Sequence, residues 1–87
     1  MTHKIKILKQ FADEIHMGNK TFEVRKNDRG YQKGDCICFD VIDEYGHELN
    51  GEKYTKHPIV GRTYRITYVL SGWGIEKDYV VFSFCKD

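Results

Sequence analysis

The sequence predicts a mostly β (α+β) fold, a small β-barrel of about five to six strands with one short helix between the first two strands. Several segments alternate apolar with polar residues, as half-buried strands do, and only one short segment has helical spacing. A chain of 87 residues buries only about 60% of the surface that its unfolded form exposes. Closing the sheet would remove edges that so small a domain cannot otherwise protect. We therefore expect residues 1–87 to form a single domain.

The first predicted strand runs directly into the predicted helix. His3–Leu8 alternates polar and apolar residues, and we expect Ile5 and Ile7 to face the core. In Lys9–Met17 the apolar residues recur at helical spacing, and Gly18 follows where a left-handed residue commonly ends a helix. This pattern predicts a helix of about two turns.

The segment after the helix, Lys20–Lys26, returns to a period of two and predicts the second strand. We expect Phe22 and Val24 to face the barrel interior, since a small barrel needs apolar side chains there. The polar residues of the opposite face would then point to a groove or to solvent: Thr21, Glu23 and Arg25.

Turn-forming segments separate the remaining predicted strands. Asn27–Asp35 is a predicted loop, Asp35–Ile42 a predicted central strand, and Tyr45–Pro58 a predicted exposed excursion. Two further strands are predicted for Val60–Leu70 and Asp78–Cys85. The side chains expected to share the apolar faces of these last two strands are Tyr64, Ile66, Tyr68 and Leu70, and Val80, Phe82 and Phe84.

Charge is distributed unevenly along the chain. The net charge is +1 overall, but it is +4 for residues 1–34 and −3 for residues 35–87, and a local positive patch can attract phosphates.

No apolar run approaches the roughly 20 residues that cross a bilayer, and the N-terminus lacks the apolar core of a signal peptide, so we expect a cytoplasmic protein that does not enter membranes. Cys36, Cys38 and Cys85 lack CxxC spacing, so we expect buried free thiols, no metal and no cofactor.

The segment Gly18–Arg29, GNKTFEVRKNDR, gathers four basic and two acidic side chains. Lysines and arginines around Glu23 could hold a phosphate while the carboxylate accepts a hydrogen bond from a base or a ribose hydroxyl. The alternative is a solvated strand edge with internal ion pairs. His3 is either a functional rim residue or a satisfied core histidine. Tyr31 and Trp73, near glycines, could stack on bases or pack ordinarily.

Common catalytic motifs are absent from the sequence. It contains no GxGxxG, Walker lysine loop, HExxH or GxSxG. His16, His47 and His57 have no metal-ligand spacing with each other or with a cysteine. These observations argue against a nucleotide-hydrolysing or serine-nucleophile enzyme.

Two long stretches carry a family resemblance, HKIKILKQFADEIHMGNKTFEVRKNDRGYQKGD and VGRTYRITYVLSGWGIEKDYVVFSF. In order, they resemble the ASCH branch of the PUA-like superfamily, and within it a small bacterial and phage-associated group labelled as a domain of unknown function. The resemblance implies a β-barrel with a cleft beside the GxKT motif and an RNA or modified-nucleotide ligand. The residues that we predict to contact this ligand are His3, Lys20, Thr21, Glu23, Arg25, Lys26, Asn27, Asp28, Arg29, Tyr31 and Trp73.

Two other functions remain open at this point. One group of ASCH-type enzymes hydrolyses acetylcytidine, and Lys20 matches the lysine of its GxKT motif, so the resemblance also allows an amidohydrolase with Lys20 and Glu23 as catalytic residues. Glu23 stands where that group has a threonine, and the late glutamate has no aligned counterpart, since Glu76 lies in a predicted turn. The third possibility is an accessory domain that binds another protein.

Overall fold

The computed structural model describes residues 1–87, which form one five-stranded sheet and one short helix. The predicted types and order of the elements are confirmed, with ends that differ by a few residues. The elements are β1 (Thr2–Leu8), α1 (Lys9–His16), β2 (Phe22–Lys26), β3 (Cys36–Ile42), β4 (Tyr64–Leu70) and β5 (Tyr79–Lys86). The fold is therefore mostly β, with the helix between the first two strands as predicted.

The strands lie in the order β1-β3-β4-β5-β2 and form a curled half-barrel. Strand β1 pairs in parallel with β3, whereas the other pairings are antiparallel. The first two strands of the sequence are thus the two edges of the sheet, and α1 begins the connection from one edge to the other. A half-barrel of this kind leaves two edges whose unpaired backbone groups need other partners.

The hydrophobic core fills the inner face of the sheet, and its largest fully buried side chains include Phe39 and Phe82. Strand β1 alternates exposed and buried residues along its whole length, so Ile5 and Ile7 face the core as predicted. The helix buries only Ala12 and Ile15, the narrow stripe that packs against the sheet. Val80, Phe82 and Phe84 of β5 are also buried, which confirms the predicted inner face of that strand.

Strand β2 faces the opposite way from the prediction. Phe22 and Val24 are 45% and 53% exposed, whereas Glu23 is only 5% exposed. The reason lies in the pairing with β5, where Glu23 is opposite Phe82 and Arg25 is opposite the buried Val80. Directly opposed residues of an antiparallel pair point to the same face of the sheet. Glu23 and Arg25 therefore point inward, and the prediction that Phe22 and Val24 fill the interior is wrong.

A β-bulge changes the faces of β4 halfway along the strand. Ile66 is opposite Phe84 and Tyr68 is opposite Ser83, so the register shifts between Ile66 and Tyr68. An extra residue in one strand turns every later side chain to the other face. Tyr64 and Ile66 are buried as predicted, but Tyr68 is exposed and Val69 packs against the core instead. The prediction for Tyr68 is therefore wrong, and Leu70 is only partly buried.

The remaining predictions about the chain are confirmed in part. The three cysteines are free, but Cys36 and Cys38 are half-buried and Cys85 is exposed, because they alternate with the buried residues of β3 and β5. Residues 45–58 are mostly exposed as predicted, except that His57 is buried. No helix is both long and apolar enough to cross a bilayer.

Candidate functional site

The gap between the edge strands β1 and β2, which we call the seam, is bridged by arginine side chains. Arg25 Nη2 donates a hydrogen bond to the main-chain oxygen of Lys6 at 2.5 Å, and Arg29 Nη1 donates one to the main-chain oxygen of Lys4 at 2.9 Å. These two carbonyls lie two residues apart on β1, so they point to the same side of the strand. Guanidinium groups thus satisfy an edge that no sixth strand covers.

A concavity of about 500 Å³ lies along the seam, and we call it the seam cleft. Its residues come from β1, the helix, the loop before β2, β2 itself and β5. Half of them are hydrophobic, four are cationic and one is acidic. The lining residues are Lys6, Ile7, Leu8, Phe11, Lys20, Glu23, Val24, Arg25, Lys26 and Tyr79.

Glu23 is the buried centre of the charged side of the seam cleft. Its Oε1 accepts a hydrogen bond from Lys20 Nζ, and its Oε2 accepts one from Arg25 Nε at 2.8 Å. A buried carboxylate is costly unless it is paired and hydrogen-bonded. Here each oxygen has its own cationic partner, so Glu23 holds Lys20 and Arg25 in fixed positions. This is the internal ion-pair network that the sequence left open as an alternative.

Lys20 is held from several directions at the border of the seam cleft. Its Nζ also donates to the main-chain oxygen of Phe22 at 2.5 Å, and it lies 5.1 Å from the centre of the Phe22 ring and 5.8 Å from that of Phe11. Gly18, with φ of 82°, makes the turn that brings the chain back from the helix to Lys20. Lys20 is therefore an anchored cation whose donors are largely used within the protein.

Other cations of the seam cleft keep donors that the protein does not use. Lys6 and Lys26 are exposed and form no ion pair, and Arg25 Nη1 makes no hydrogen bond within the protein. Beside them lie apolar surfaces that include the half-exposed side chains of Leu8 and Phe11. The four cations and Glu23 give the cleft a formal charge of +3. Such a surface can bind a ligand that is both anionic and flat or apolar.

Four of the sequence-predicted site residues come together in the seam cleft. Lys20, Glu23, Arg25 and Lys26 all line it, and Arg29 lies at the seam without lining the cleft. Thr21 lines a separate recess of about 140 Å³, which Lys20 also borders. The predicted cluster of charge is therefore a spatial cluster as well.

The structure places His3 and Tyr31 in the interior. His3 is buried and its Nε2 lies 2.8 Å from Asp35 Oδ2, and this hydrogen bond is the main cause that lowers the pKa of Asp35. Tyr31 is also buried, with its ring centre 4.8 Å from that of His3 and 4.9 Å from that of Phe82. Burial raises the pKa of Tyr31. Both side chains are therefore buried and neither lines the seam cleft.

The other predicted contacts lie in loops outside the cleft lining. Asn27 Oδ1 accepts a hydrogen bond from the backbone N–H of Tyr31 at 3.1 Å, so this side chain closes its own loop. Asp28 is exposed and makes no hydrogen bond. Trp73 is 91% exposed, has a φ of 54° and lines neither the seam cleft nor the recess beside Thr21.

Sequence reasoning missed the contributions of β1, the helix and β5 to the cleft. Lys6 alternates with Ile5 and Ile7, so it has the pattern of any outward residue of a strand. The available signal was the excess of lysines in the first strand, which belongs to the +4 charge of residues 1–34. Phe11 is one of the apolar residues at helical spacing in Lys9–Met17, which predicts a core position, but its side chain is half-exposed at the cleft. Only the sheet order shows that β1 and β2 face one another.

Comparison with known proteins identifies the family. No curated protein matches the sequence of this chain. A family model described as "Domain of unknown function (DUF3850)" matches residues 2–84, which is nearly the whole chain. The chain therefore belongs to the DUF3850 family of domains of unknown function.

Proposed function

We propose that the protein binds single-stranded RNA or a nucleotide in the seam cleft. The observation that carries this proposal is the pairing of unused cationic donors on Lys6, Lys26 and Arg25 with exposed apolar surface on Leu8 and Phe11. Phosphate groups are bound by lysine and arginine donors, and single-stranded bases pack on aromatic and apolar side chains. Both kinds of contact are available within one concavity.

The buried ion pairs support this function by fixing the geometry of the site. Glu23 holds the Nε side of Arg25, and the carbonyl of Lys6 binds Nη2, so the guanidinium plane is set before any ligand arrives. Nη1 then remains for a phosphate oxygen. Preorganised donors bind an anion without the cost of ordering a free side chain.

We also propose that the fold belongs to the PUA-like superfamily, in its ASCH branch. Support comes from the half-barrel with a helix between the first two strands and from a cleft beside the GxKT motif, which contains Lys20. Three free cysteines agree with a reducing compartment, so we place the protein in the cytoplasm. Fold likeness alone does not determine function, so the cleft chemistry carries the proposal.

Amide hydrolysis of an acylated nucleoside is the second candidate function. It is favoured by the direct contact between Lys20 Nζ and the Glu23 carboxylate at the cleft. Both Glu23 oxygens accept hydrogen bonds from cations, and Lys20 donates to two acceptors, so neither group is free to act as a nucleophile or base. Binding is therefore the better-supported function.

The binding proposal is tested by mapping a nucleotide onto the protein. Backbone amide NMR signals are followed during titration with AMP and CMP, for the wild type and for Lys26→Ala. The control is Lys33→Ala, which removes the same charge from an exposed residue that does not line the seam cleft. We expect chemical-shift changes along β1 and β2. The affinity for the nucleotide should fall about threefold in Lys26→Ala, because this variant loses one exposed charge contact. Chemical-shift changes confined to other strands, or an equal loss of affinity in Lys26→Ala and Lys33→Ala, would contradict the proposal.

The hydrolase candidate needs its own assay. Acetylcytidine is incubated with the wild type and with Lys20→Ala, and release of cytidine is measured by chromatography. We expect both proteins to match the uncatalysed rate. Turnover by the wild type that disappears in Lys20→Ala would establish the enzyme instead.

A further inference from the structure

A second concavity of about 500 Å³ shares a wall with the seam cleft. It is lined by β1, the end of β3 and residues of the 45–58 excursion, and we call it the loop concavity. Lys6 lines both concavities, so they adjoin at this residue. The residues that line the loop concavity are Lys6, Ile42, Gly46, His47, Glu48, Asn50, Glu52, Lys53 and Tyr54.

His47 and Tyr54 line the loop concavity, and the Tyr45 ring lies next to that of His47, so we call these three side chains the aromatic ledge. The His47 and Tyr54 rings are stacked, with centres 4.4 Å apart and planes 16° apart, and the Tyr45 ring centre lies 6.0 Å from that of His47. All three side chains are exposed. Exposed aromatic faces are the surfaces on which single-stranded bases stack.

The carboxylate of Asp43 holds His47 and the backbone of Tyr45 in place. Asp43 Oδ1 accepts hydrogen bonds from the backbone N–H groups of Tyr45 and His47 at 2.9 and 2.8 Å, and Oδ2 lies 3.0 Å from His47 Nδ1. Desolvation of the Asp43 carboxyl raises its pKa, but these hydrogen bonds together outweigh it and leave the pKa below its usual value. The His47 ring is thus held before any ligand binds, which lowers the entropy cost of stacking.

Charge at the loop concavity differs from charge at the seam cleft. Glu48 and Glu52 form no ion pair, and they face the same concavity as Lys6 and Lys53. Free carboxylates repel phosphate, but they accept hydrogen bonds from the exocyclic amino groups of cytosine and adenine. A phosphate is therefore better placed at Lys6, with a base directed toward the ledge.

We propose that the ligand is an oligonucleotide that spans both concavities, with one base stacked on the ledge of Tyr45, His47 and Tyr54. This inference rests on the proposed function and makes it more specific. The base on the ledge carries an exocyclic amino group, so cytosine or adenine is preferred there over uracil. A mononucleotide can fill only one concavity and loses the second set of contacts.

The test compares the affinities of AMP, tetraadenylate and tetrauridylate at one salt concentration by calorimetry. The variants are Tyr45→Ala and His47→Ala, and the control is Tyr68→Ala, an exposed tyrosine of β4 that is not part of the ledge. Since stacking of one more base adds to the affinity, we expect tetraadenylate to bind at least about fivefold more tightly than AMP. It should also bind more tightly than tetrauridylate. Both variants should reduce the advantage of tetraadenylate over AMP, whereas Tyr68→Ala should keep the full advantage.

Different results identify which proposal has failed. If AMP binds and tetraadenylate binds no more tightly, or if Tyr45→Ala keeps the full advantage of the tetranucleotide, the ledge is not a base site. Tyr45→Ala is decisive because this exposed side chain contributes little to folding. If no nucleotide binds the wild type at low salt, the proposed function fails together with the inference.

Discussion

Arg25 donates a hydrogen bond from Nη2 to the main-chain oxygen of Lys6, at 2.5 Å, across the open side of the half-barrel. The same guanidinium is fixed through Nε by the buried carboxylate of Glu23. Closure of the sheet and construction of the seam cleft are thus parts of one hydrogen-bond network. This coupling explains why a domain with little core places a carboxylate on the inner face of an edge strand.

Replacing Glu23 with glutamine should destabilise the fold. The change removes the negative charge that neutralises Lys20 and Arg25, and it leaves two neighbouring cations facing one another. Breaking a fully buried pair costs about 3 to 5 kcal/mol, and because both cations are partly exposed we expect a loss of about 2 kcal/mol. Urea unfolding followed by circular dichroism measures this free energy.

The control for that experiment is Glu76→Gln. Glu76 is exposed in the turn before β5 and its side chain makes no hydrogen bond, so its variant should unfold at the wild-type urea midpoint. Equal midpoints for Glu23→Gln and the wild type would show that Glu23 does not organise the seam.

Arg29→Ala should separate closure of the seam from ligand binding. Arg29 Nη1 donates to the main-chain oxygen of Lys4 but does not line the seam cleft. Loss of this exposed hydrogen bond should lower the free energy of unfolding by about 0.5 to 1 kcal/mol and speed amide exchange in β1. RNA affinity should change less than twofold. The control Lys33→Ala removes a charge without removing a hydrogen bond, so it should leave both stability and RNA affinity unchanged. A large loss of RNA affinity in Arg29→Ala would contradict this separation and put Arg29 in the binding site.

Tyr64→Phe should stabilise the protein. The Tyr64 hydroxyl is buried and has no hydrogen-bond partner, although its ring packs against Phe39 and Phe84. A buried polar group without a partner costs about 1 to 3 kcal/mol, so removal of the oxygen should raise the free energy of unfolding by about 1 kcal/mol. Thermal unfolding of Tyr64→Phe beside Tyr68→Phe, whose ring is exposed, measures the effect. A lower melting temperature for Tyr64→Phe alone would mean that the hydroxyl has a stabilising partner.

Acid should weaken the fold partly through Asp35. The hydrogen bond with His3 is the main cause that lowers the pKa of Asp35 below 3.8, and the backbone N–H of Gln32 lowers it further. A carboxyl whose folded pKa is depressed contributes stability above its unfolded pKa and loses that contribution as pH falls through the folded pKa. Asp35→Asn should therefore lower stability by about 1 kcal/mol at pH 6, the difference between a charged and a neutral hydrogen bond.

The pH dependence of the stability difference between wild type and Asp35→Asn tests the direction of the Asp35 pKa shift. Wild type and Asp35→Asn should differ most above pH 4 and converge at lower pH, when Asp35 is protonated in both the folded and unfolded states. Asp28→Asn is the control, since Asp28 is exposed and makes no hydrogen bond. A difference that grows as the pH falls below 4 would contradict this explanation.

The order of helix and strands was predictable because each element has its own local period. The change from alternation in β1 to helical spacing in α1 and back again is visible without tertiary information. The faces of β2 were not predictable in this way, since periodicity identifies two faces but not which one is inside. Pairing of Glu23 with Phe82 settles that question, and it depends on the register with β5. The bulge in β4, which turned Tyr68 outward, likewise has no signal in the apolar pattern.

Only the local part of the candidate site was predictable. Lys20, Glu23, Arg25 and Lys26 lie within seven residues of the chain, so their proximity follows from covalent connection. Lys6 joins them because the sheet order brings the edge strands β1 and β2 to the two sides of the seam. No short-range pattern encodes that order. Tyr31 was misleading for the same reason, because a tyrosine in a loop can still fold into the core.

The salt dependence of RNA binding tests most directly whether the seam cleft binds phosphates. With Lys6, Lys26 and Arg25 contacting about three phosphates of a single strand, log K should fall with log salt at a slope of about −2, or about fifteenfold between 50 and 200 mM NaCl. Lys26→Ala should make the slope shallower by about 0.7, and Lys33→Ala should leave it unchanged. An affinity that does not depend on salt, and that Lys26→Ala does not alter, would contradict phosphate binding in the seam cleft.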